Sequence, residues 1–200
     1  MLFCDIGNTS FHFKDKNRNY KESVTSFNPS LVKENVYYIS VNRKVSTYLE
    51  TLENWINLAK NVDMTKYYTT MGIDRIAAVE AVKNAVIVDA GSAITVDIVN
   101  NGVFSGGFIY PGIKAMKKTY NTISPALEYE FDFDIDVTKL PLTSQDSISY
   151  GFLKILYTEV VSHDLPIILT GGDASKLAKL FKEAKVDEEL IFKGMQNLLN

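Results

Sequence analysis

The sequence predicts an α/β protein made of two similar halves. In both halves an apolar strand ends in an aspartate, passes through a turn of small residues and returns as a second strand. This pattern occurs at Asp5 in "CDIGNTSFHF" and at Asp89 in "VIVDAGSAITVDIV". Segments with helical spacing of apolar residues alternate with these strands, which is typical of sheets covered by helices. We therefore expect two lobes, residues 1–84 and residues 85–200.

The first half opens with a predicted hairpin, in which Met1–Ile6 and Ser10–Lys14 flank the turn "GNT". Val36–Ser40 is a third strand candidate because it is rich in β-branched and aromatic residues. Apolar residues then recur at helical spacing and predict an amphipathic helix: Val45, Tyr48, Leu49, Leu52, Trp55, Ile56 and Ala59. Trp55 lies on the apolar stripe of that helix, so we expect it in the core.

The segment "TTMGIDRIAAVEAV" combines a loop that ends at Gly72 with a helix that Asp74 and Arg75 open. A carboxylate in the first turn of a helix can be an ordinary cap that the helix dipole stabilises. Alternatively, Asp74 is a general base, and Arg75 binds a substrate carboxylate through two parallel hydrogen bonds. The residues alone leave both interpretations open.

The second half repeats the opening pattern on a larger scale. The strand "AVIVD" is followed by the strand "AITVDIV", and an Asn-Asn-Gly turn leads to a third strand that ends at Pro111 and Gly112. A helix is predicted from about Ser144 to His163, followed by a strand, a Gly-Gly turn and a helix in "LPIILTGGDASKLAKLF". The acidic segment "LEYEFDFDIDVTKLPLTSQ" lacks helix signals, and we interpret it as a loop that covers a site.

Composition excludes several classes of function. A net charge of -3 and a pI near 5.5, without a block of Lys and Arg, argue against nucleic-acid binding. A single cysteine excludes an internal disulfide, and no apolar stretch approaches the roughly 20 residues that span a bilayer. The start of the chain lacks the basic and apolar regions of a signal peptide. We expect a soluble, cytoplasmic protein with no membrane partner.

Three turns have the chemistry of a nucleotide site: "CDIGNT", "VDAGSAIT" and "LTGGDA". Small residues after a strand let backbone N–H groups approach phosphate oxygens. An aspartate there can hold a cation that bridges to the phosphate, so Asp5 and Asp89 are candidate cation ligands. Each turn alone could be a plain hairpin, and their occurrence together strengthens the nucleotide interpretation. Asp97 is equally consistent with a site residue and with an ordinary polar strand position.

The set "DIGNT", "GIDR", "DAGSAITVD", "GGFIYPG" and "TGGDA" resembles the type III pantothenate kinases, within the actin-like ATPase superfamily. The motifs run from Asp5 to Ala174 in the expected order. The resemblance implies two ribonuclease-H-like lobes with mixed sheets flanked by helices and a nucleotide cleft between them. It also implies a homodimer that phosphorylates pantothenate with ATP, Mg²⁺ and a monovalent cation, K⁺ or NH₄⁺.

The resemblance further implies roles for individual residues. The first phosphate-binding turn corresponds to Asp5, Ile6, Gly7, Asn8, Thr9, Ser10, Phe11 and His12, with Asp5 near the Mg²⁺. Ser92, where the family generally has threonine, contacts ATP together with Gly171 and Gly172, and Asp89 matches the monovalent-cation ligand. The pantothenate residues are Tyr68, Gly72, Ile73, Asp74, Arg75 and Ser144, with Asp74 as the proton acceptor. Tyr67 and Thr143 are alternatives to Tyr68 and Ser144.

Two other functions remain open for the sequence. Another small-molecule kinase or phosphohydrolase of the superfamily would keep the three turns but has no reason to carry "GIDR". A regulator on the same fold would bind ATP without turnover, and the presence of Asp74, Arg75 and Asp89 argues against it.

Overall fold

The computed structural model describes residues 1–199 and contains two compact units. The first unit comprises Met1–Val82 and the C-terminal segment from Glu189, and the second comprises Lys83–Glu188. The break after Val82 lies two residues from the predicted boundary at residue 84. The segment from Glu189 returns to the first unit, whereas the sequence suggested that the second lobe runs to the end of the chain.

The elements follow one another in an α/β order. The strands are β1 (Leu2–Ile6), β2 (Ser10–Lys14), β3 (Asn19–Ser23), β4 (Val36–Ser40), β5 (Trp55–Asn57), β6 (Ala85–Ala90), β7 (Ala93–Asn100), β8 (Val103–Pro111), β9 (Ile167–Thr170) and β10 (Lys185–Val186). The helices are α1 (Arg43–Leu49), α2 (Ile73–Glu80), α3 (Ile113–Ile123), α4 (Ser144–Val161), α5 (Ala174–Leu180) and α6 (Leu190–Asn197). Among residues 1–199, no helix is both long enough and apolar enough to cross a membrane.

The first sheet has the strand order β3-β2-β1-β4-β5, with β1 antiparallel to β2 and parallel to β4. The predicted hairpin and the predicted third strand are confirmed. The sequence did not suggest the edge strand β3, because its residues are mostly exposed and show no apolar alternation. One face of this sheet packs into an aromatic core: Phe11, Phe13, Tyr38 and Trp55 are at most 5% exposed.

The long helix expected from Val45 to Ala59 is wrong. Helix α1 ends at Leu49, and Trp55–Asn57 forms β5, which pairs in parallel with β4. The side-chain amide of Asn54 donates to the carbonyls of Val32 and Glu34, at 3.0 and 2.9 Å, and holds the turn that starts β5. Pairing with a neighbouring strand therefore outweighs the helical spacing of the apolar residues. Trp55 is in the core as expected, but on a strand.

The second sheet has the order β10-β9-β6-β7-β8, with β6 antiparallel to β7 and parallel to β9. It confirms the predicted strands, and α4 and α5 confirm the helices expected after Ser144 and after the Gly-Gly turn. The predicted loop, residues 127–145, is confirmed over residues 128–143, which contain no helix or strand, whereas Leu127 ends a short 3₁₀ helix and Ser144 and Gln145 begin α4. That this loop covers a site remains a prediction.

Helix α6 joins the C-terminal segment to the first unit, and no sequence pattern suggested it. Its buried Phe192 and Met195 pack in a cluster with Phe3 of β1 and Ala77 of α2. The helices approach so closely that a Cβ on Gly194 would come within 1.6 Å of the Ala77 carbonyl oxygen. The face of the first sheet opposite the aromatic core is therefore covered by α2 and α6.

Candidate active site

The first acid-ended turn places Asp5 on the central strand of the first sheet. Leu2, Cys4 and Ile6 face the aromatic core, so strand alternation puts Asp5 on the same face as Phe3, where α2 and α6 pack. Asp5 is half-buried and pairs in register with His12 of β2 and Ile39 of β4. Burial raises the pKa of the neighbouring Cys4 thiol, which stays neutral inside the core.

The predicted phosphate-binding residues 5–12 fall into two groups. In the turn itself Gly7 donates its N–H to the Ser10 carbonyl at 3.0 Å, and Asn8 and Thr9 are exposed. By contrast, the side chains of Ile6 and Phe11 are buried in the aromatic core, so these residues can offer a ligand only their backbone. The imidazole Nε2 of His12 forms a hydrogen bond with Asn19 Oδ1 at 2.8 Å, and the ring packs edge-on against Phe192. These contacts give the His12 side chain a structural role.

The second candidate group lies at the start of α2. Gly72 is the N-cap residue, and Asp74 and Arg75 occupy the first turn, as the sequence predicts. Asp74 Oδ1 accepts the backbone N–H of Arg75 at 2.8 Å, which fixes the orientation of a half-buried carboxylate. Arg75 is only 6% exposed, an unusual degree of burial for a guanidinium. The start of α2 thus holds a fixed carboxylate beside a buried cation.

The structure distinguishes the two candidate tyrosines before α2. Tyr68 is 45% exposed, accepts a hydrogen bond from Arg75 Nη1 at 2.5 Å and stacks its ring against the guanidinium, 5.8 Å from its centre. Tyr67 instead donates to Glu80 at 2.7 Å. Burial, reinforced by the Glu80 carboxylate, raises the pKa of the Tyr67 phenol. Tyr68 therefore lies with the candidate site residues, and Tyr67 belongs to the scaffold of α2.

In the second unit Asp89 lies near the end of β6, in register with Thr170 at the end of the parallel strand β9. A Cβ on Gly171 would come within 2.3 Å of Asp89 Oδ1, so glycine alone leaves room for this carboxylate. Gly171 also has a φ of 86°, in the left-handed region that favours glycine. The N–H of Asp173 donates to the Ala90 carbonyl at 2.9 Å and ties the Gly-Gly turn to the end of β6.

The turn after Asp89 is supported by a residue that sequence reasoning did not assign to the site. Ser92 is exposed in this turn, and a Cβ on Gly112 would come within 2.1 Å of its carbonyl oxygen. Gly112 is the N-cap of α3, so the end of "GGFIYPG" lies directly on the turn. In the sequence, the pair Pro111-Gly112 before a helix could have indicated that Gly112 matters. It does not reveal that Gly112 approaches the backbone of Ser92.

The remaining substrate candidates lie at the start of α4. Thr143 is the N-cap residue, and its hydroxyl oxygen accepts the N–H of Asp146 at 3.2 Å. Ser144, the first residue of the helix, is exposed. Because the Thr143 hydroxyl caps the helix, Ser144 is the better candidate for a ligand contact.

The donor groups fit a nucleotide with its cation. Leaving aside adjacent residues, a methyl group on Gly172 would meet no atom of residues 1–199 within 4 Å, and one on Gly7 would meet only the Ser10 carbonyl oxygen, at 3.9 Å. Both turns therefore leave their backbone open to phosphate oxygens. Within residues 1–199 no three His, Cys, Asp or Glu side chains form a ready metal site. Protein-bound Mg²⁺ usually has one or two carboxylate ligands besides water and substrate phosphates, so the single carboxylate of Asp5 fits this mode.

Comparison with known proteins relates the chain to one family. The family model for type III pantothenate kinase matches residues 32–162. A type III pantothenate kinase from Sulfurimonas denitrificans is 57% identical over 199 residues, covering 100% of this chain and 97% of the relative. A Campylobacter jejuni crystal structure, named after the Baf family of transcriptional activators, has a TM-score of 0.89 and 38% identity, over 100% of this chain and 97% of that one.

A more distant solved structure shows the fold alone. Component A of (R)-2-hydroxyglutaryl-CoA dehydratase from Acidaminococcus fermentans has a TM-score of 0.50 and 13% identity, over 99% of this chain and 95% of that one. The two mixed sheets, with their helices and acid-ended turns, have the actin-like ATPase fold. Within that class, the chain belongs to the type III pantothenate kinase family.

Proposed function

We propose that this protein transfers the γ-phosphoryl group of ATP to the 4′-hydroxyl of pantothenate, the first step of coenzyme A biosynthesis. The observation that carries the proposal is the oriented carboxylate of Asp74 beside the buried guanidinium of Arg75. Phosphoryl transfer to an alcohol needs a proton acceptor, and a substrate carboxylate needs a cation to hold it. The start of α2 offers both within two consecutive residues.

Asp74 acts as the general base in this proposal. Its Oδ1 is fixed by the N–H of Arg75, and the carboxylate accepts the hydroxyl proton of pantothenate as the new bond to phosphorus forms. Arg75 and Tyr68, joined by a 2.5 Å hydrogen bond, form a polar surface that holds the carboxylate end of the substrate. Ser144 contributes a further hydroxyl contact to pantothenate.

The nucleotide is bound by residues of three turns. When bound, Mg·ATP supplies the phosphoryl group and the divalent charge that offsets its oxygens. Asp5 would hold the Mg²⁺ through water or through the phosphates, with the backbone of residues 6–12 near the phosphates. Ser92, Gly171 and Gly172 are the ATP-binding candidates of the second unit. Asp89, enclosed by the turns at Gly91 and Gly171, would hold the monovalent cation, K⁺ or NH₄⁺.

We also propose that the protein works as a homodimer in the cytoplasm, where ATP is available. Large apolar side chains of the second unit support a self-association surface: Val103 and Ile109 of β8 and Ile123 of α3 are 63%, 65% and 68% exposed. Light scattering coupled to size-exclusion chromatography should give twice the chain mass of 22.4 kDa. A monomer at micromolar concentration would contradict this assembly.

The proposed reaction is tested by measuring ADP release from ATP and Mg²⁺ with and without pantothenate. The assay should be run in K⁺, in NH₄⁺ and in Na⁺ at equal ionic strength. We expect release that depends on pantothenate and is faster in K⁺ or NH₄⁺ than in Na⁺. An analogue with a hydroxymethyl group in place of the carboxylate keeps the reacting hydroxyl and should require a higher concentration, because Arg75 loses its ionic partner.

The other outcomes separate the alternative functions. Release with another alcohol but not with pantothenate would overturn the substrate assignment and favour a different kinase of the same fold. ATP binding without turnover, under all three salts, would favour a regulator. Equal rates in K⁺ and Na⁺ would remove the cation role from Asp89 without affecting the substrate.

A further inference from the structure

The side chain of Asp74 occupies the space that a Cβ atom on residue 72 would take. It folds back over the N-cap of α2, so that Asp74 Oδ1 lies only 2.5 Å from the position a Cβ would take on Gly72. The same oxygen accepts the N–H of Arg75 at 2.8 Å. Any residue other than glycine at position 72 would therefore push the carboxylate out of this orientation.

The backbone at Gly72 does not itself require glycine. Its φ of -62° and ψ of 140° are open to any residue. The Gly72 carbonyl accepts the N–H of Ile76 at 3.1 Å, a bond that an alanine would keep. Leaving aside the adjacent Met71 and Ile73, Asp74 is the one residue among 1–199 with atoms within 4 Å of the added methyl group. The steric constraint on residue 72 thus comes from one side chain alone.

We infer that Gly72 is a positioning residue, whose missing side chain sets the orientation of the Asp74 carboxylate. Because the N–H of Arg75 holds Asp74 Oδ1, the side-chain rotamer of Asp74 also fixes the direction in which its Oδ2 points. An alanine at position 72 forces a rotation about the Asp74 side chain that breaks the Oδ1 bond and moves both oxygens. This inference rests on the proposed role of Asp74 as general base, and it assigns Gly72 an effect on the chemical step rather than on substrate affinity.

The test compares Gly72→Ala with the wild type in steady-state kinetics. Displacing a catalytic group by about 1 Å can cost on the order of 100-fold in rate, so we expect kcat to fall between about 10-fold and 100-fold. The KM for Mg·ATP should change by less than about 2-fold, since no nucleotide contact is altered. The melting temperature should stay within a few degrees, because the backbone conformation suits alanine.

A double-variant cycle separates positioning from direct substrate contact. In the Asp74→Ala background no carboxylate remains to be displaced, so adding Gly72→Ala should lower kcat by less than about 2-fold further. If the methyl group instead acts by displacing pantothenate, for which the resemblance names Gly72 as a binding residue, the second substitution would lower activity in both backgrounds, which would overturn the inference. Wild-type kcat in Gly72→Ala would overturn it as well. Gly151→Ala, a glycine substitution with only an ordinary 3.7 Å contact to Tyr120, is the matched control.

A readout that is independent of turnover keeps this inference distinct from the proposed function. The amide proton resonance of Arg75 reports its hydrogen bond to Asp74 Oδ1 in the absence of substrates. We expect this resonance to move in Gly72→Ala and in Asp74→Ala and to stay unchanged in Gly151→Ala. Should pantothenate prove not to be a substrate, the proposed function fails while this shift is still observed. An Arg75 resonance that does not move in Gly72→Ala would overturn the inference, whatever the activity.

Discussion

Asp74 and Arg75 are adjacent in sequence, yet they meet different surroundings at the start of α2. The Arg75 side chain is buried and bonded to Tyr68, whereas Asp74 is half-buried and held through one oxygen. A carboxylate with one oxygen fixed by a backbone N–H keeps its second oxygen in a defined direction. This is the property that a general base needs, and a plain helix cap does not require the buried cation beside it.

Replacing Asp74 by asparagine removes the base and keeps the oxygen that accepts from Arg75. We expect kcat to fall at least about 100-fold, the usual contribution of a positioned base, with the free energy of unfolding changed by less than about 1 kcal/mol. Steady-state kinetics and urea unfolding measure the two quantities. Asp164→Asn is the matched control, since Asp164 is an exposed residue with a φ of 51° that asparagine adopts readily. Near-wild-type turnover of Asp74→Asn with both substrates saturating would remove Asp74 from the base role.

The two adjacent tyrosines offer a second test, because their hydroxyls have different partners. Tyr68→Phe removes the oxygen that accepts from Arg75, and we expect the KM for pantothenate to rise about 10-fold with little change in stability. Tyr67→Phe removes the bond to Glu80, and we expect it to lower the free energy of unfolding by roughly 1 kcal/mol with KM unchanged. Kinetics and chemical unfolding of both variants decide the assignment. The reverse pattern would make Tyr67 the substrate contact.

For individual residues, the sequence predicted which residues open a helix or end a strand better than it predicted which atoms they contact. The spacing of Gly72, Asp74 and Arg75 before an apolar run was enough to place them at the start of a helix. It could not reveal that Oδ1 of Asp74 lies over Gly72, because that depends on a side-chain rotamer. Likewise "GGFIYPG" indicated that a strand ends at Pro111 and Gly112. The contact between Gly112 and the carbonyl of Ser92 joins residues twenty positions apart, and no local pattern records it.

Among the elements, strands were predicted more reliably than the segment between β4 and β5. Both acid-ended hairpins combine local turn residues with alternating apolar positions, so local sequence and tertiary pairing agree. In residues 50–57 they conflict, because helical spacing continues while a parallel edge position beside β4 is available. The helix α6 was not predicted at all. Its apolar residues gain their partners from β1 and α2, which lie more than a hundred positions earlier in the chain.

Because α2 and α6 pack so closely, a glycine-to-alanine substitution should change the free energy of unfolding in opposite directions in α6 and in α4. Gly194→Ala inserts a methyl group where the Ala77 carbonyl lies, and overpacking of this kind typically costs 1–3 kcal/mol. Gly151→Ala in α4 meets only ordinary contacts and should stabilise the protein by about 0.5–1 kcal/mol, because alanine favours the helix. Urea unfolding of both variants measures the signs. A stable Gly194→Ala protein would show that the helices can separate without cost.

The two units are assembled differently from the chain: one is built from a single stretch of sequence and the other from two separate stretches. The second unit, Lys83–Glu188, is continuous in sequence and carries Asp89 and the Gly-Gly turn. The first unit carries Asp5 and the start of α2, but it is completed only by the segment from Glu189. The side-chain amide of Asn61 donates to the Leu198 carbonyl at 2.9 Å, and that of Asn197 donates to the Glu80 carbonyl at 2.7 Å. The end of the chain is thus tied to the unit in which the chain begins.

This division predicts how the protein responds to loss of its last segment. Ending the chain at Glu188 removes the buried Leu190, Phe192 and Met195, each of which contributes roughly 1.5–3 kcal/mol by burial. We expect hydrogen exchange to accelerate by at least about 100-fold in β1, β4 and α2. Strands β6, β7 and β9 should keep their protection, because their core lies within the second unit, and they serve as the internal reference. Equal acceleration in both sheets would show that the chain unfolds as one cooperative body, and unchanged exchange in β1 would show that α6 is dispensable for the first unit.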